Sequence, residues 1–436
     1  MPSTLQNAGV LTFAAACEAV LGYCRDVPAQ PAEKVPLQQA LGRVLAEAVL
    51  ADRDFPPFHR STRDGFAVRS ADLGQLPATL RVVGQIKAGG SFDRHVSSGE
   101  AVEIMTGAAV PEGADAVVMV EYTAQKDSGG KVEIQRAVAA GENVVTAGAE
   151  ARAGDKLLPV GMRLGPAQIA MAAAVGKATL QVFRRPRVAI LATGDELVEV
   201  AEMPGPHQIR NSNSYSLAAQ VSACGGEPIQ LPIAPDEERK LATLMQAGLE
   251  SADLLLLSGG VSMGKFDLVE KVLSSLGAEF FFTGALIQPG KPVVFGEVAK
   301  KNAAAHVNSR QVRGPQAVLQ KKDQRVPFFG LPGNPVSVMV TFDLFVRPLL
   351  EALGGAVPAG LPAAKARLRS PVKTKTGLTR FLPAILEGGL DHPQVEAVPW
   401  QGSGDLLASA RANCYLVVPP DRDQIPAGEM VTVLIR

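Results

Sequence analysis

Apolar residues change their spacing twice along the chain, and these changes divide it into three regions. In residues 1–180 an amphipathic helical stripe around Leu11–Leu21 comes first. Short alternating runs follow: TLRVVGQIKAGG, EAVEIMTGAAV, DAVVMVEYTAQ and KVEIQRAV. Period-two alternation between Gly- and Pro-containing turns predicts half-buried strands. The pattern turns helical again over Gly165–Val175, with Gly176 at the usual glycine stop. An antiparallel β-rich lid carried on an N-terminal helical stalk is therefore expected, in two discontinuous parts.

Residues 181–355 lose the alternation. RVAILATG, ADLLLLSGG, KPVVFGEV and VPFFGLPGN are continuous apolar runs, the signature of parallel strands covered on both faces. Helical segments lie among them: SYSLAAQVSACGG, EERKLATLMQAGLES and DLVEKVLSSLG, two of them closed by glycine. Strand–helix alternation predicts a three-layer α/β domain. Residues 356–436 return to short strands with Gly/Pro turns (AKARLRSPV, RFLPAILEGG, CYLVVPP, MVTVLIR), as in a small β-barrel. The fold class is thus α/β plus β, multidomain. The stretch 300–325 is basic and aperiodic between two core strands, and reads as an inserted loop or as a collar for an anionic ligand.

Composition narrows the partners. Lys plus Arg equals Asp plus Glu at 43 each, which disfavours a general nucleic-acid binder, whose affinity comes from neutralising phosphates. No apolar run nears the ~20 residues needed to span a bilayer, and the N-terminus lacks the basic start of a signal peptide. Cys17, Cys24, Cys224 and Cys414 have no metal or redox spacing and read as free thiols of a cytoplasmic protein. The histidines show no metal motif, and no GxGxxG is present.

In open α/β sheets ligands bind beyond the carboxyl ends of the strands, and four such ends are loaded here. After VAILA come Thr193, Gly194, Asp195 and Glu196, which either receive a ligand or cation or form a helix capping box. After LLLL come Ser258, Gly259 and Gly260, whose amides suit a phosphate, with Ser262 beyond. Asp267 is placed to hold Mg²⁺ against that phosphate and also to cap the next helix, two compatible roles. GALIQPGKP has five residues between Gly284 and Gly290 where a Walker loop has four, and Pro292 replaces its Ser/Thr, so a nucleotide-triphosphatase is excluded. What remains is Lys291, a cation for an oxyanion. After VPFFGL come Pro332, Gly333, Asn334 and Pro335, which read as an N-cap with Pro in the first helical turn. In the first region, Asp64-Gly65 and Thr106-Gly107 mark a turn and a strand end.

Taken in order, STRDGFAVR, IMTGAAVPEGADAVVMVE, TGDEL, SGGVSMGKFD, PGKPVVFG and GLPGNPVS resemble the molybdopterin molybdenumtransferase family, called MoeA in bacteria and the gephyrin E-domain in animals. The resemblance covers nearly the whole chain. It implies insertion of molybdenum from molybdate into adenylyl-molybdopterin, with Mg²⁺ and release of AMP. It also implies an elongated homodimer, with the lid of one subunit (Asp64, Thr106) facing the pocket of the other and possible contact with the adenylyltransferase that makes the substrate. On this resemblance Glu196, Asp236 and Asp267 are the pocket and metal carboxylates, and Glu150 stands where Asp is common. Ser258–Gly260 and Pro332–Pro335 would shape the pterin phosphate site, while Lys291 and Ser403 meet molybdate. Two departures stand out: Gln288 where Lys is frequent, and Leu378, with Arg380 two residues on, where Arg is frequent. Adenylyltransferase activity and a non-catalytic scaffold are the alternatives.

Overall fold

The computed structural model describes residues 9–126, 130–260, 268–300, 325–389 and 391–436. The central domain is built on a six-stranded sheet in the order Glu227–Gln230, Arg187–Ala192, Leu254–Ser258, Arg325–Leu331, Val294–Ala299, Glu279–Phe282. The first four strands are parallel, as their continuous apolar runs predict. Successive side chains on each strand serve opposite cores. Val188, Ile190, Leu254 and Leu256 pack with one helical layer, while Ala189, Leu191, Leu255 and Leu257 pack with the other. Three layers result.

Two expectations need correction. Val294–Ala299, the strand of KPVVFGEV, runs antiparallel to both of its neighbours. A continuous apolar run reports burial on both faces, and it carries no information about strand direction. The N-terminal helix is not a stalk. Phe13–Asp26 buries Ala16, Val20 and Cys24, a stripe at every fourth residue, in the same core as Phe345, Leu349 and Leu350 of the central domain. What joins lid to centre is instead a small β-rich unit. There Ala32–Pro36 pairs with Thr179–Phe183, Val49–Leu50 pairs with Lys156–Leu158, and the short helix Pro166–Ala174 closes their common core.

The lid is a six-stranded sheet, antiparallel apart from the parallel pair Ala78–Ile86 and Glu100–Ile104. The last region closes into a five-stranded barrel, because Thr379–Glu387 pairs with Gln394–Ala397 at one end and Cys414–Val418 at the other. Ile287–Gln288 of the central domain adds itself in parallel to Thr379–Arg380. The PGKP loop is therefore held by backbone bonds to the barrel.

Barrel and centre meet again at a buried polar junction. The helical run Pro335–Leu353 is interrupted by a π-helical turn, Phe342–Val346, which presents Asp343 inward. Tyr415 donates its hydroxyl to Asp343 Oδ2 at 2.9 Å, Gln220 Nε2 donates to Oδ1 at 3.0 Å, and Arg436 Nε stands 4.0 Å away. Burial, against these partners, raises the Asp343 carboxyl above its ordinary 3.8. A raised folded value gives stability that is complete below the unfolded pKa and is lost as pH rises through the folded one. Relative to Asp343→Asn, the natural chain should thus lose thermal stability as pH rises past the ordinary Asp range. Asp343→Asn, whose amide can donate to the Tyr415 hydroxyl, should be the more stable of the two at neutral pH. Parallel melting curves against pH check this, and coincident profiles would remove Asp343 as the cause.

The four cysteines are free, with Cys24 and Cys414 buried, and burial pushes the Cys24 thiol up to about 12. Among the described residues no helix is long and apolar enough to cross a membrane.

Candidate functional site

The carboxyl ends of the parallel strands open into a cleft of about 790 Å³, walled by Thr193, Glu196, Asn213, Ser258, Gly259 and the Pro332–Pro335 turn. A second cleft of about 470 Å³ adjoins it, sharing Pro292, Pro332 and Asn334. Its walls are the PGKP loop with Lys291 on one side, and Lys375, Arg380, Trp400 and Ser403 of the barrel on the other. Four separated strand ends thus converge on one continuous site.

The first end does not form a capping box. Leu197–Val198 is a short strand, and Thr193 Oγ1 instead donates to Asp236 Oδ1 at 2.9 Å, while Asp195 Oδ1 accepts from the Asp236 amide at 3.1 Å. Glu196 is exposed at the cleft wall, with its carboxylate folded over Gly194, where a Cβ would lie 2.4 Å from Oε2. At the second end Gly259 and Gly260 both take left-handed conformations, φ 92° and 63°. A Cβ on Gly259 would lie 2.4 Å from the Thr193 carbonyl oxygen, so these strand ends touch only through glycine. The Gly259 amide donates to the Leu331 carbonyl at 3.2 Å, so it is part of the sheet and not a free phosphate donor. Ser262 and Asp267 lie outside the described residues, as do residues 301–324 of the basic insertion.

At the fourth end Asn334 does occupy the N-cap with Pro335 at the first helical position, but its side chain makes no capping bond. Its Nδ2 donates to Ser403 Oγ at 2.8 Å, and the Ser403 carbonyl accepts from Val336 N at 3.0 Å. The barrel loop therefore satisfies one donor, the Val336 amide, that a helix start leaves open. Lys291 is half-buried and follows Gly290, whose φ of 106° and close approach to Thr341 fix the loop.

Asn213 is a site residue that sequence reading passed over. Its Nδ2 donates to Ser258 Oγ at 3.0 Å and to the Gly333 carbonyl at 2.7 Å, tying two strand-end turns together. Its Oδ1 is buried with no hydrogen-bond partner among the described residues. The NSNS run looks like an ordinary polar helix start, and Asn211 does cap that helix.

The lid residues stand apart. Asp64 Oδ1 accepts from Thr106 N at 2.6 Å, and that amide holds the exposed Asp64 carboxyl below its usual range. Gly65 then opens the strand Gly65–Val68, directly after the turn expected there. Glu150 is exposed and pairs with Arg60 at 3.3 Å. None of Asp64, Thr106, Glu150 and Asp236 lines either cleft, but Asp236 is tied to the cleft wall through Thr193. Among the described residues no group of three or more His, Cys, Asp or Glu side chains is placed to hold a metal ion.

Fold and site define a multidomain α/β protein whose ligand pocket lies over the switch from sheet to loops and is shared with a docked β-barrel. Three family models match in series. They are the MoeA N-terminal region (domains I and II) over residues 11–176, a probable molybdopterin binding domain over 189–352, and the MoeA C-terminal region (domain IV) over 365–435. A molybdopterin molybdenumtransferase of Bacillus subtilis is 33% identical over 96% of this chain and 93% of its own length. One from Nostoc is 36% identical over 93% and 89%. The crystal structure of a molybdopterin biosynthesis MoeA protein from Pyrococcus horikoshii superposes with a TM-score of 0.79 at 29% identity, covering 98% of this chain and all of that one. This chain belongs to the MoeA family of molybdopterin molybdenumtransferases, transferases of molybdenum cofactor biosynthesis.

Proposed function

We propose that the chain transfers molybdenum from molybdate into adenylyl-molybdopterin with release of AMP, acting with Mg²⁺ in the cytoplasm as a homodimer. The observation that supports this most directly is the chemical division of the continuous site. One half has small residues, backbone polar groups and Glu196 at parallel strand ends, and the other is lined by cations. The first suits an adenylylated pterin with its phosphates, the second a tetrahedral oxyanion.

In this reading Ser258, Gly259, Gly260 and Ser262, with Pro332, Gly333, Asn334 and Pro335, shape the pterin phosphate site. Lys291 and Ser403 meet molybdate next to the dithiolene. Thr193 and Gly194 let the ligand approach the backbone. Magnesium keeps several waters and needs only one or two carboxylates beside a phosphate, so Glu196 at the cleft wall would serve as its first donor, with Asp236, tied to the cleft through Thr193, and Asp267 as further ones. Bound there, the ion would supply Lewis-acid polarisation of the phosphoanhydride. Thr193 orients Asp236 through its hydroxyl. Molybdate held by Lys291 attacks the adenylyl phosphorus through one oxygen and the phosphoanhydride P–O bond breaks, leaving the pterin its phosphate. The Mo–O bond to that oxygen then breaks as the dithiolene sulfurs take the molybdenum, and AMP leaves carrying the oxygen. Asp64, Thr106 and Glu150 act on the partner's pocket, since their own subunit's clefts do not include them. Handover from the adenylyltransferase that makes the substrate fits this arrangement.

The test is to mix the purified chain with adenylyl-molybdopterin and ¹⁸O-labelled molybdate. Labelled AMP should appear together with cofactor able to activate an apo-molybdoenzyme, and chelation should stop both until Mg²⁺ is restored. AMP without label would remove the oxygen-attack step. Consumption of ATP with free molybdopterin would favour adenylyltransferase activity instead.

A further inference from the structure

Arg380 is an unusual residue to find in the barrel wall. It is only 6% exposed, yet it is a permanently charged guanidinium with no carboxylate partner among the described residues. Burying an unpaired charge is costly unless something else neutralises it. Three of its five N–H donors are used. Nε donates to Gln288 Oε1 at 2.8 Å, and Nη1 donates to the Lys375 carbonyl and, at 3.2 Å, to the Leu378 carbonyl. All three acceptors are neutral, and Nη2 makes no hydrogen bond among the described residues.

The surroundings say what could neutralise it. Arg380 lines the 470 Å³ cleft with Lys291 and Lys375, and no acid stands in that wall. Burial disfavours the charged form of Arg380, and no nearby group offsets this. An anion entering the cleft would meet three cations and no competing acid among the residues that line it. The Gln288 contact has a further consequence. Gln288 and Arg380 sit in register where Ile287–Gln288 pairs with Thr379–Arg380, so the backbone holds the two side chains together. Gln288 can accept from the guanidinium without cancelling its charge. A Lys at 288 would repel Arg380, and a Glu would neutralise it internally.

Building on the function proposed above, we propose that Arg380, positioned by Gln288, is the principal buried charge that binds the oxyanion substrate in this chain. The role falls to a guanidinium entering the cleft from residue 380, and the amide at 288 is what makes it possible. The two positions are therefore one coupled unit.

Equilibrium dialysis with molybdate tests this on the intact chain, with fluorescence of Trp400, the sole tryptophan and itself a cleft residue, as a second readout. Arg380→Gln should weaken molybdate binding about tenfold to a hundredfold, the range of a lost charge-assisted hydrogen bond, while adenylyl-molybdopterin binding stays unchanged. Gln288→Glu keeps the contact and the fold but should weaken molybdate to a similar degree. A purely structural Arg380 would gain from that stronger pair and leave molybdate binding untouched. The proposal is overturned if folded Arg380→Gln binds molybdate as tightly as the natural chain. Should that variant not fold, equally tight binding by Gln288→Glu overturns it. Absence of saturable molybdate binding in the natural chain is a separate result, and it would sink the oxyanion reading of the whole cleft.

Discussion

Mixing two inactive variants, Asp64→Asn and Lys291→Gln, should restore activity. Each change removes a charge from one half of the site, and each alone should leave roughly a hundredth of the activity or less, as for loss of one electrostatic contact to a reacting group. Asp64 is exposed on the lid, anchored by the Thr106 amide, and absent from both clefts of its own chain. Lys291 lies in the second cleft. If lid and pocket meet across a two-fold axis, a heterodimer of the two variants contains one intact site and one doubly damaged site. After random subunit exchange, about a quarter of the natural activity should return. Differently tagged subunits report the exchange. A mixture that exchanges yet stays at background would show that Asp64 does not complete a partner's pocket.

The second large effect concerns Gly259. Its φ of 92° is disfavoured for any residue with a Cβ, and that Cβ would stand 2.4 Å from the Thr193 carbonyl oxygen. Gly259→Ala must therefore separate two strand ends that line the larger cleft. Backbone strain of this kind costs about 1–3 kcal/mol. The functional loss should be larger, about a hundredfold, because shifts near 1 Å suffice to spoil alignment. Thermal unfolding and AMP release, compared with Gly277→Ala as control, separate the two. Gly277 also has a positive φ, 82°, but open space around its missing Cβ. Equal activity losses in both variants would deny the special role of the Thr193 contact.

Much of this architecture is legible in the residue pattern, because the pattern reports burial. The runs VAILA and LLLL are apolar at every position since their side chains alternate between two cores. Direction and partner are not written there. Val294–Ala299 is as apolar as its parallel neighbours and runs the other way, and Glu279–Phe282 is a four-residue edge strand too short to show a period of its own. The N-terminal helix shows the same limit, since its Ala16–Val20–Cys24 stripe announces a buried face without naming the domain that covers it. At the site, glycines and prolines after apolar runs marked the strand ends, and the family motifs supplied candidate roles. Long-range side-chain bonds were invisible. Nothing local to NSNS indicates that Asn213 reaches Ser258 and Gly333, and nothing in GLTRF indicates a buried Arg380 joined to Gln288 across 92 positions.

The parallel splice of Ile287–Gln288 onto Thr379–Arg380 has a consequence for how the chain matures. Domains form in order as they leave the ribosome, so the parallel strands precede the barrel, yet their core is completed only when Phe381 and Tyr415 of the barrel join it. The cation-lined cleft waits likewise, because Lys375, Leu378, Arg380, Trp400 and Ser403 of its wall belong to the barrel. A nascent or truncated chain would then lack both the barrel side of that cleft and the last part of the central core. Assembly of the site would therefore wait on synthesis of the final domain.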